Sequence, residues 1–353
     1  MLEIIKSTLT DNAILGAIFS SVSIILLGFY LRKKETLSSA ASKMLTKVVL
    51  SVSIPALAFT SFMKDINNEQ LKEFMGILIW GFAIYILLIP ITKIMFAKVK
   101  GDKQDVYRIL TIFGSTTFFS TPIVSAVYGA VGTIYASIFN ISYRVFLYSY
   151  AFIKMSGTKM DKENFKKNMK EIFLNPIILA TFLGLFVWLF QDKLPQISVA
   201  VNGEVKQYAF LRLDKTLPWF YKALEYLKAL ASPLAWLAIG ATLAEVPFKK
   251  AIAQKDAWVY SLIKVLLVPV INLLLLVVVN KLGIIPVAFE GMATTVIMMA
   301  APTATVAAAY AISYDREALF TSNCSLLSTV VAVAAMPVWI VILEVIKNIG
   351  LFA

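Results

Sequence analysis

Long apolar runs separated by clusters of charged residues make up most of the chain. Each run has about 20 residues or more, the length that an α-helix needs to cross the hydrocarbon core of a bilayer. A longer polar loop, 192–217, contains Val201-Asn202-Gly203-Glu204, which predicts a small hairpin outside the bilayer. The pattern predicts an all-α polytopic membrane protein with ten transmembrane helices, at 12–31, 42–63, 73–97, 107–128, 131–154, 172–191, 218–246, 257–282, 288–312 and 318–347.

Composition supports this class and excludes others. Of the 353 residues 59% are hydrophobic and 15% are charged, which rules out a soluble enzyme and a membrane anchor with a large soluble domain. The chain has no histidine and one cysteine, Cys324, so it has no histidine-dependent triad and no zinc site built from histidine or several cysteines. No Asp lies inside a predicted span, which excludes an aspartyl intramembrane protease. We therefore expect neither an enzyme nor a metal or cofactor.

Basic residues predict the orientation. The net charge of +12 would suggest a nucleic-acid partner in a soluble protein, but in a membrane protein it marks the cytoplasmic loops. With the N-terminus outside, the inner segments hold 17 Lys and Arg residues and the outer segments hold 9. We expect a multi-pass protein of a bacterial inner membrane, with both termini outside and with no nucleic acid as partner.

Prolines recur in the two halves of the chain. A basic segment, 156–171, separates a half at 1–155 from a half at 172–353. Because each half has five spans, the second half must enter the membrane from the opposite side, which predicts two inverted five-helix repeats. Coincidence among twelve prolines is the alternative interpretation. The proline pairs, at offsets of 178, 179 and 180 residues, are Pro55 with Pro233, Pro90 with Pro269, and Pro122 with Pro302.

Predicted helices 4 and 9 are rich in hydroxyl groups around a proline. Proline removes one backbone donor, so each helix is expected to break near its centre, and the two broken helices are expected to cross. Half-helix N-termini would then face a bound anion, with Thr121 capping the second half of helix 4. Two ordinary proline kinks are the alternative. The candidate substrate-binding residues here are Ser115, Thr117, Ser120, Thr121, Pro122, Pro302 and Thr303.

Arg144 lies near the middle of predicted helix 5, on one stripe with Asn140. A guanidinium at that depth should face the bundle or a watery cavity, where it matches a carboxylate with two hydrogen bonds. Either Arg144, with Asn140, binds an anionic substrate, or it holds backbone carbonyls of broken helix 4. Helix 10 adds Asn323 and Ser325 as candidates, while Lys264, near the inner end of helix 8, is expected to reach the interface.

Several stretches in their order resemble the auxin efflux carrier family, and the resemblance covers essentially the whole chain. In helix 4 the family commonly shows Asn-x-Gly-x-x-Gly-x-Pro, and this chain has Ser115, Thr117 and Ser120 at the first three of those places. The matching stretches are Val52-Ser53-Ile54-Pro55-Ala56-Leu57-Ala58-Phe59, Ser232-Pro233-Leu234-Ala235, Ile239-Gly240-Ala241-Thr242-Leu243-Ala244, Ala301-Pro302-Thr303-Ala304-Thr305 and Ser325-Leu326-Leu327-Ser328-Thr329.

The resemblance implies a scaffold of helices 1, 2, 6 and 7 and a moving transport domain of helices 3–5 and 8–10. It also implies elevator-type alternating access, a substrate site at Pro122 and Pro302, and a homodimer through the scaffold. Together with Arg144, it favours a secondary transporter of small organic anions, such as malate. An anion channel and an auxin-like carrier of indole acids are the alternatives. The coupling ion, if any, stays open.

Overall fold

A computed structural model describes residues 12–65, 68–157, 174–201, 204–245, 252–285 and 287–349. Most of these residues are helical, and within them six helices are long and apolar enough to cross a membrane. The helices are α1 (Asn12–Lys33), α2 (Ser39–Ser61), α3 (Asn68–Met95), α4 (Asp102–Ile112), α5 (Thr116–Ser156), α6 (Pro176–Phe190), α7 (Leu213–Thr216), α8 (Pro218–Ala229), α9 (Ala231–Ala244), α10 (Lys255–Lys281), α11 (Phe289–Met299), α12 (Thr305–Ser313) and α13 (Ala318–Asn348).

Two of the predicted spans are divided in the structure. The span predicted at 107–128 belongs partly to α4 and partly to α5, with a non-helical stretch between them, and that at 288–312 is divided into α11 and α12. The span predicted at 218–246 continues from α8 into α9 through Leu230, which keeps helical dihedral angles, and the two form one apolar span, Pro218–Ala244. The basic segment predicted at 156–171 lies outside the described residues, apart from Ser156 and Gly157.

Three of the prolines that lie inside long helices follow a π-helical turn. Proline has no N–H, and its ring clashes with the carbonyl four residues earlier. In this protein a wide π-helical turn, with hydrogen bonds to the residue five positions back, precedes each of these prolines and moves that carbonyl away. The helices therefore continue past Pro55, Pro122 and Pro269, after the π turns Val49–Ser53, Thr116–Ser120 and Ile263–Leu267.

Helix α5 folds back on itself at Gly129. Its 41 residues would extend about 60 Å as a straight helix, twice the thickness of a hydrocarbon core. Gly129 has φ 59° and ψ −142°, a conformation that glycine adopts without a steric cost. Contacts across the bend, from Thr116 to Asn140 and from Arg144 to Thr117, show that the two arms, 116–128 and 130–156, run antiparallel.

Helices α1, α2, α6, α8 and α9 pack into one unit, the five-helix group. Its closest contact joins α1 to α9: a Cβ added at Gly240 would lie 1.9 Å from the carbonyl oxygen of Ile25, and one at Gly28 would lie 2.2 Å from that of Leu237. An ion pair of 2.9 Å between Arg32 and Glu245 joins the same two helices at one end. Backbones this close hold α1 and α9 as a rigid pair.

The remaining long helices, α3, α4, α5, α10, α11, α12 and α13, form the seven-helix group. Buried hydrogen bonds cross-link it: Trp80 Nε1 donates to Asn272 Oδ1 at 2.9 Å, and Asn272 Nδ2 donates to Thr295 Oγ1 at 3.0 Å. These bonds tie α3 to α10 and α10 to α11. At one end, an ion pair of 2.6 Å between Lys103 and Asp256 ties α4 to α10.

The predicted hairpin is present between α6 and α7. Strands β1 (Gln196–Val201) and β2 (Glu204–Ala209) pair antiparallel, with Val201 opposite Glu204. Behind the hairpin, the buried guanidinium of Arg212 donates to Asp65 at 2.9 Å, to Gln191 at 2.6 Å and to Asp214. Burial by itself lowers the pKa of Arg212, but these hydrogen bonds outweigh it and the pKa stands above its ordinary value. The hairpin and α7 are thereby fixed to the end of α2.

Candidate substrate site

Two non-helical segments, 113–115 and 300–304, cross each other inside the seven-helix group. Helices α4 and α11 end just before these crossing segments, and α5 and α12 begin just after them. Gly114 and Thr303 form an antiparallel bridge, in which the Ser115 amide donates to the Pro302 carbonyl at 2.7 Å and the Ala304 amide donates to the Phe113 carbonyl at 3.0 Å. Backbone groups that leave the helices are thus satisfied by each other.

Pro122 is not the counterpart of Pro302 in this crossing. Pro302 lies in a crossing segment, whereas Pro122 lies in the helical part of α5, just after its first, π-helical turn. Thr121 is also not an N-cap, because α5 begins at Thr116 and the Thr121 hydroxyl donates back to the Thr116 carbonyl at 3.1 Å. The π turn accommodates Pro122 within the helix, so the non-helical stretch lies before it in the chain, around Gly114.

A cavity of about 350 Å³ lies beside the crossing segments, between the two helix groups. The five-helix group contributes one wall from α2 and α9, and the seven-helix group contributes the crossing segments and α13. Hydroxyl groups and apolar side chains share the lining, as is common for pockets that bind small organic molecules. The lining residues are Thr46, Leu50, Ser115, Phe118, Phe119, Ile239, Thr242, Leu243, Pro302, Thr303, Thr305, Ser322, Ser325, Leu326 and Thr329.

Four of the predicted site residues line this cavity: Ser115, Pro302, Thr303 and Ser325. Thr303 is the most constrained of them. Its amide receives no helical partner and instead donates to Ser328 Oγ at 3.1 Å, while its hydroxyl lies 2.7 Å from that of Tyr260. The crossing segment is therefore held in place by side chains of α10 and α13.

Arg144 lies one side chain behind the cavity wall. It is buried, and its Nη2 donates to Thr117 Oγ1 at 3.3 Å, in the first turn of α5. Its Nε has no hydrogen-bond partner. Thr117 follows the cavity residue Ser115 by two positions, so the guanidinium is close to the crossing without lining the cavity.

The other predicted residues support the crossing or lie apart from it. Asn140 accepts a hydrogen bond of 2.6 Å from Thr116, and Ser120 donates to the Ile297 carbonyl at 2.9 Å, linking α5 to α11. The carbonyl of Pro122 accepts a hydrogen bond from Ser232 in α9. Asn323 donates to Gln254 and does not line the cavity.

Lys264 lies against the crossing segments, a position that the sequence pattern missed. It is fully buried, which corrects the expectation that it reaches the membrane interface. Its Nζ donates to the carbonyls of Thr111 at 3.0 Å and Met299 at 3.4 Å, in the last turns of α4 and α11. One turn earlier on α10, Tyr260 donates to the Leu110 carbonyl at 2.9 Å. The spacing of four residues between Tyr260 and Lys264 was the available signal.

The charges near the crossing are positive. Among the described residues, neither Arg144 nor Lys264 forms an ion pair with a carboxylate. No group of three or more His, Cys, Asp or Glu side chains able to hold a metal ion occurs in the described part of the chain. The arrangement can attract an anion and offer it hydroxyl donors.

Comparison with known proteins agrees with a membrane transporter. The family described as "Membrane transport protein" matches residues 13–340. An uncharacterized transporter of Methanothermobacter thermautotrophicus is 23% identical over 335 residues, covering 92% of this chain and 97% of the relative. An uncharacterized transporter of Methanocaldococcus jannaschii is 21% identical over 233 residues, covering 64% of this chain and 68% of the relative.

The match runs from α1 to α13 and includes both crossing segments, so it takes in the two helix groups and the cavity between them. The relatives are named as transporters, and the family is one of transporters rather than enzymes. The chain is a multi-pass membrane transporter that belongs to the membrane transport protein family, which is the auxin efflux carrier family.

Proposed function

We propose that the protein is a secondary transporter of small organic anions, with carboxylates such as malate as substrates. The substrate binds in the cavity beside the crossing segments, and the seven-helix group carries it across the membrane by an elevator movement against the five-helix group. In this proposal the chain has ten spans in two inverted repeats, with the divided helices α4–α5 and α11–α12 crossing near the midplane.

The separation of polar contacts into two groups supports two bodies that move against each other. Ion pairs such as Arg32 with Glu245 and Lys103 with Asp256 stay within one group. The closest glycine contacts do so as well, since Gly240 lies against Ile25 and Gly114 lies against Ala301. A boundary that is mainly apolar can slide without breaking strong polar interactions.

The observation that carries the anion proposal is the pair of buried cations at the crossing. Arg144 and Lys264 are at most 5% exposed, and no carboxylate of the described residues pairs with either. Buried charges without counterions are costly, and an anionic ligand in the adjacent cavity lowers that cost. The hydroxyls of Ser115 and Ser325 are available to hydrogen-bond a carboxylate in the cavity. The hydroxyl of Thr303 is already hydrogen-bonded to Tyr260 and Ser328.

The cavity reaches toward the inner side in the proposed orientation. Its exposed members are Thr242, Thr305 and Ser322, and Thr242 lies three residues before Glu245, whose ion pair with Arg32 closes that end of the five-helix group. Positively charged loops flank that end, as the cytoplasmic side requires. The structure therefore corresponds, under this proposal, to an inward-facing carrier.

The proposal is tested by uptake of labelled malate into liposomes that contain the purified protein, without ion gradients. We expect uptake to saturate and to be faster when unlabelled malate is present inside the liposomes. In such exchange, the carrier returns across the membrane with malate bound. Flux that neither saturates nor responds to internal malate would indicate an anion channel instead. Competition by indole acetate at low concentration would favour an indole acid as the substrate.

Arg144→Gln is the informative variant in the same assay. Removing the charge is expected to lower the affinity for malate by at least about tenfold, since a charge-assisted interaction contributes roughly 1.5–3 kcal/mol. The matched control is Arg108→Gln, because Arg108 is also buried but is engaged with Asp105 and Tyr150. An unchanged affinity in folded Arg144→Gln would remove Arg144 from the binding machinery.

A further inference from the structure

Four helix ends meet at the crossing segments, and their partial charges oppose one another. The C-terminal ends of α4 and α11 each carry about half a negative charge, and the N-terminal ends of α5 and α12 each carry about half a positive charge. These helices have 11 residues each in α4 and α11, and 9 in α12. Taken alone, the four ends nearly cancel, so a small cavity beside them would feel little net field.

Lys264 removes this balance, because it touches both negative ends and neither positive end. Its Nζ donates to a carbonyl in the last turn of α4, that of Thr111, and to the last carbonyl of α11, that of Met299. The ammonium also lies against the crossing itself, since a Cβ added at Gly114 would lie 3.1 Å from Nζ. In its protonated form, the ammonium therefore offsets two half charges of opposite sign.

A second observation points to an anion on the other side of the crossing. Arg144, which is 5% exposed, contacts Thr117 in the first turn of α5, and its Nε has no hydrogen-bond partner. With the C-terminal ends neutralised by Lys264, the N-terminal ends and Arg144 act in the same direction. The cavity lined by Ser115 and Thr305 lies beside these N-terminal ends.

We propose that Lys264 is the specificity-determining residue of the site: by neutralising the C-terminal ends of α4 and α11, it makes the crossing selective for anions. Lys264 acts on the substrate through the helix ends, so it is a positioning residue. The inference rests on the proposed function only in placing the substrate in this cavity, and the charge selectivity can be measured without a substrate.

The experiment places one reporter thiol in the cavity. The buried Cys324 is replaced by Ala, and the exposed Thr305, at the start of α12, is replaced by Cys. An anionic sulfonatoethyl methanethiosulfonate and a cationic trimethylammonioethyl methanethiosulfonate then react with the same thiolate. The ratio of the two rates reports the local potential, because the thiolate fraction cancels.

We expect the anionic-to-cationic ratio to exceed that of a small free thiol by at least about tenfold, because a nearby positive charge in partly screened surroundings attracts one reagent and repels the other. Lys264→Gln keeps amide donors for the two carbonyls but removes the charge, and it is expected to lower the ratio about tenfold. Lys264→Arg is expected to retain it. Melting temperatures of all variants monitor the fold.

Three results would overturn the proposal. The first is an anionic-to-cationic rate ratio in the parent protein equal to that of the free thiol, and the second is a ratio that does not change in folded Lys264→Gln. The third is loss of the fold in Lys264→Gln but not in Lys264→Arg, because the charge would then serve folding alone. Malate uptake by the parent protein is measured in parallel. A high ratio without malate uptake would refute malate as the substrate and leave the role of Lys264 standing.

Discussion

The side-chain hydroxyl of Ser232 donates a hydrogen bond to the main-chain carbonyl of Pro122, with 3.0 Å between the two oxygens. Ser232 belongs to α9 in the five-helix group, and Pro122 belongs to α5 in the seven-helix group. Since the ion pairs of the described residues stay within a group or its loops, this hydrogen bond is a polar tie across the boundary between the two. A sliding movement of the groups would break it.

Ser232→Ala should weaken the conformation seen in this structure. One hydrogen bond contributes about 0.5–1.5 kcal/mol net, which corresponds to a shift of roughly 2- to 12-fold in the equilibrium between two carrier states. A cysteine that replaces Thr305, which is exposed in this conformation, should then react more slowly with a thiol reagent, because this conformation is less populated. The control is Ser61→Ala, whose hydroxyl bonds to Leu57 in its own helix. Equal effects of the two variants would speak against a tie between groups.

Gly240→Ala should destabilise the five-helix group strongly. The added methyl group would lie 1.9 Å from the Ile25 carbonyl oxygen, which is backbone and cannot move without separating α1 from α9. We expect a loss of about 3 kcal/mol or more, seen as a lower melting temperature. Gly16→Ala in α1 is the matched control, because nothing lies within 4 Å of its added methyl group. A similar loss in both variants would contradict the close packing.

Arg212→Met should loosen the loop that carries the hairpin. The change leaves Asp214 and Gln191 without their charged donor, at an expected cost of about 2–3 kcal/mol for hydrogen bonds to a charged group. Faster limited proteolysis within 192–217 and a lower melting temperature are the measurements. Lys206→Met serves as the control, since the ion pair of Lys206 with Glu204 is exposed on the hairpin. An unchanged rate of proteolysis in Arg212→Met would show that interactions other than those of Arg212 hold the loop in place.

The ion pair of Glu245 with Arg32 predicts a modest pH dependence. The hydrogen bond from Arg32 lowers the pKa of the Glu245 carboxyl. The contribution of this ion pair to the stability of the fold is therefore complete above the unfolded-state pKa of about 4.3. It is lost as the pH falls through the lower folded-state pKa of Glu245. Because the pair is about one-quarter exposed, we expect only about 0.2–1 kcal/mol. The melting-temperature difference between the parent protein and Glu245→Gln should shrink below pH 4; a constant difference would refute this.

The hydrophobic pattern determined the class of the protein and the identity of several site residues. A bilayer requires long apolar helices with internally satisfied backbones, so apolar runs alone identify a helical membrane protein. Hydroxyls in an otherwise apolar span have few uses, and this singled out Ser115, Thr303 and Ser325, which line the cavity. The sequence Val201-Asn202-Gly203-Glu204 located the hairpin, because Val201 and Glu204 pair at the ends of the two antiparallel strands.

Tertiary structure decided where the chain unwinds and which charge lies at the crossing. Pro122 suggested the break, but a π turn accommodates that proline, and the chain leaves the helix at Gly114 because the backbone there pairs with Thr303, 189 residues away. Lys264 looked close to a helix end when measured along the chain. In space, two other helices end beside it, and their unpaired carbonyls hold its ammonium in the interior. Distance along one helix contains no information about where its neighbours end, so only the packed structure could place this charge.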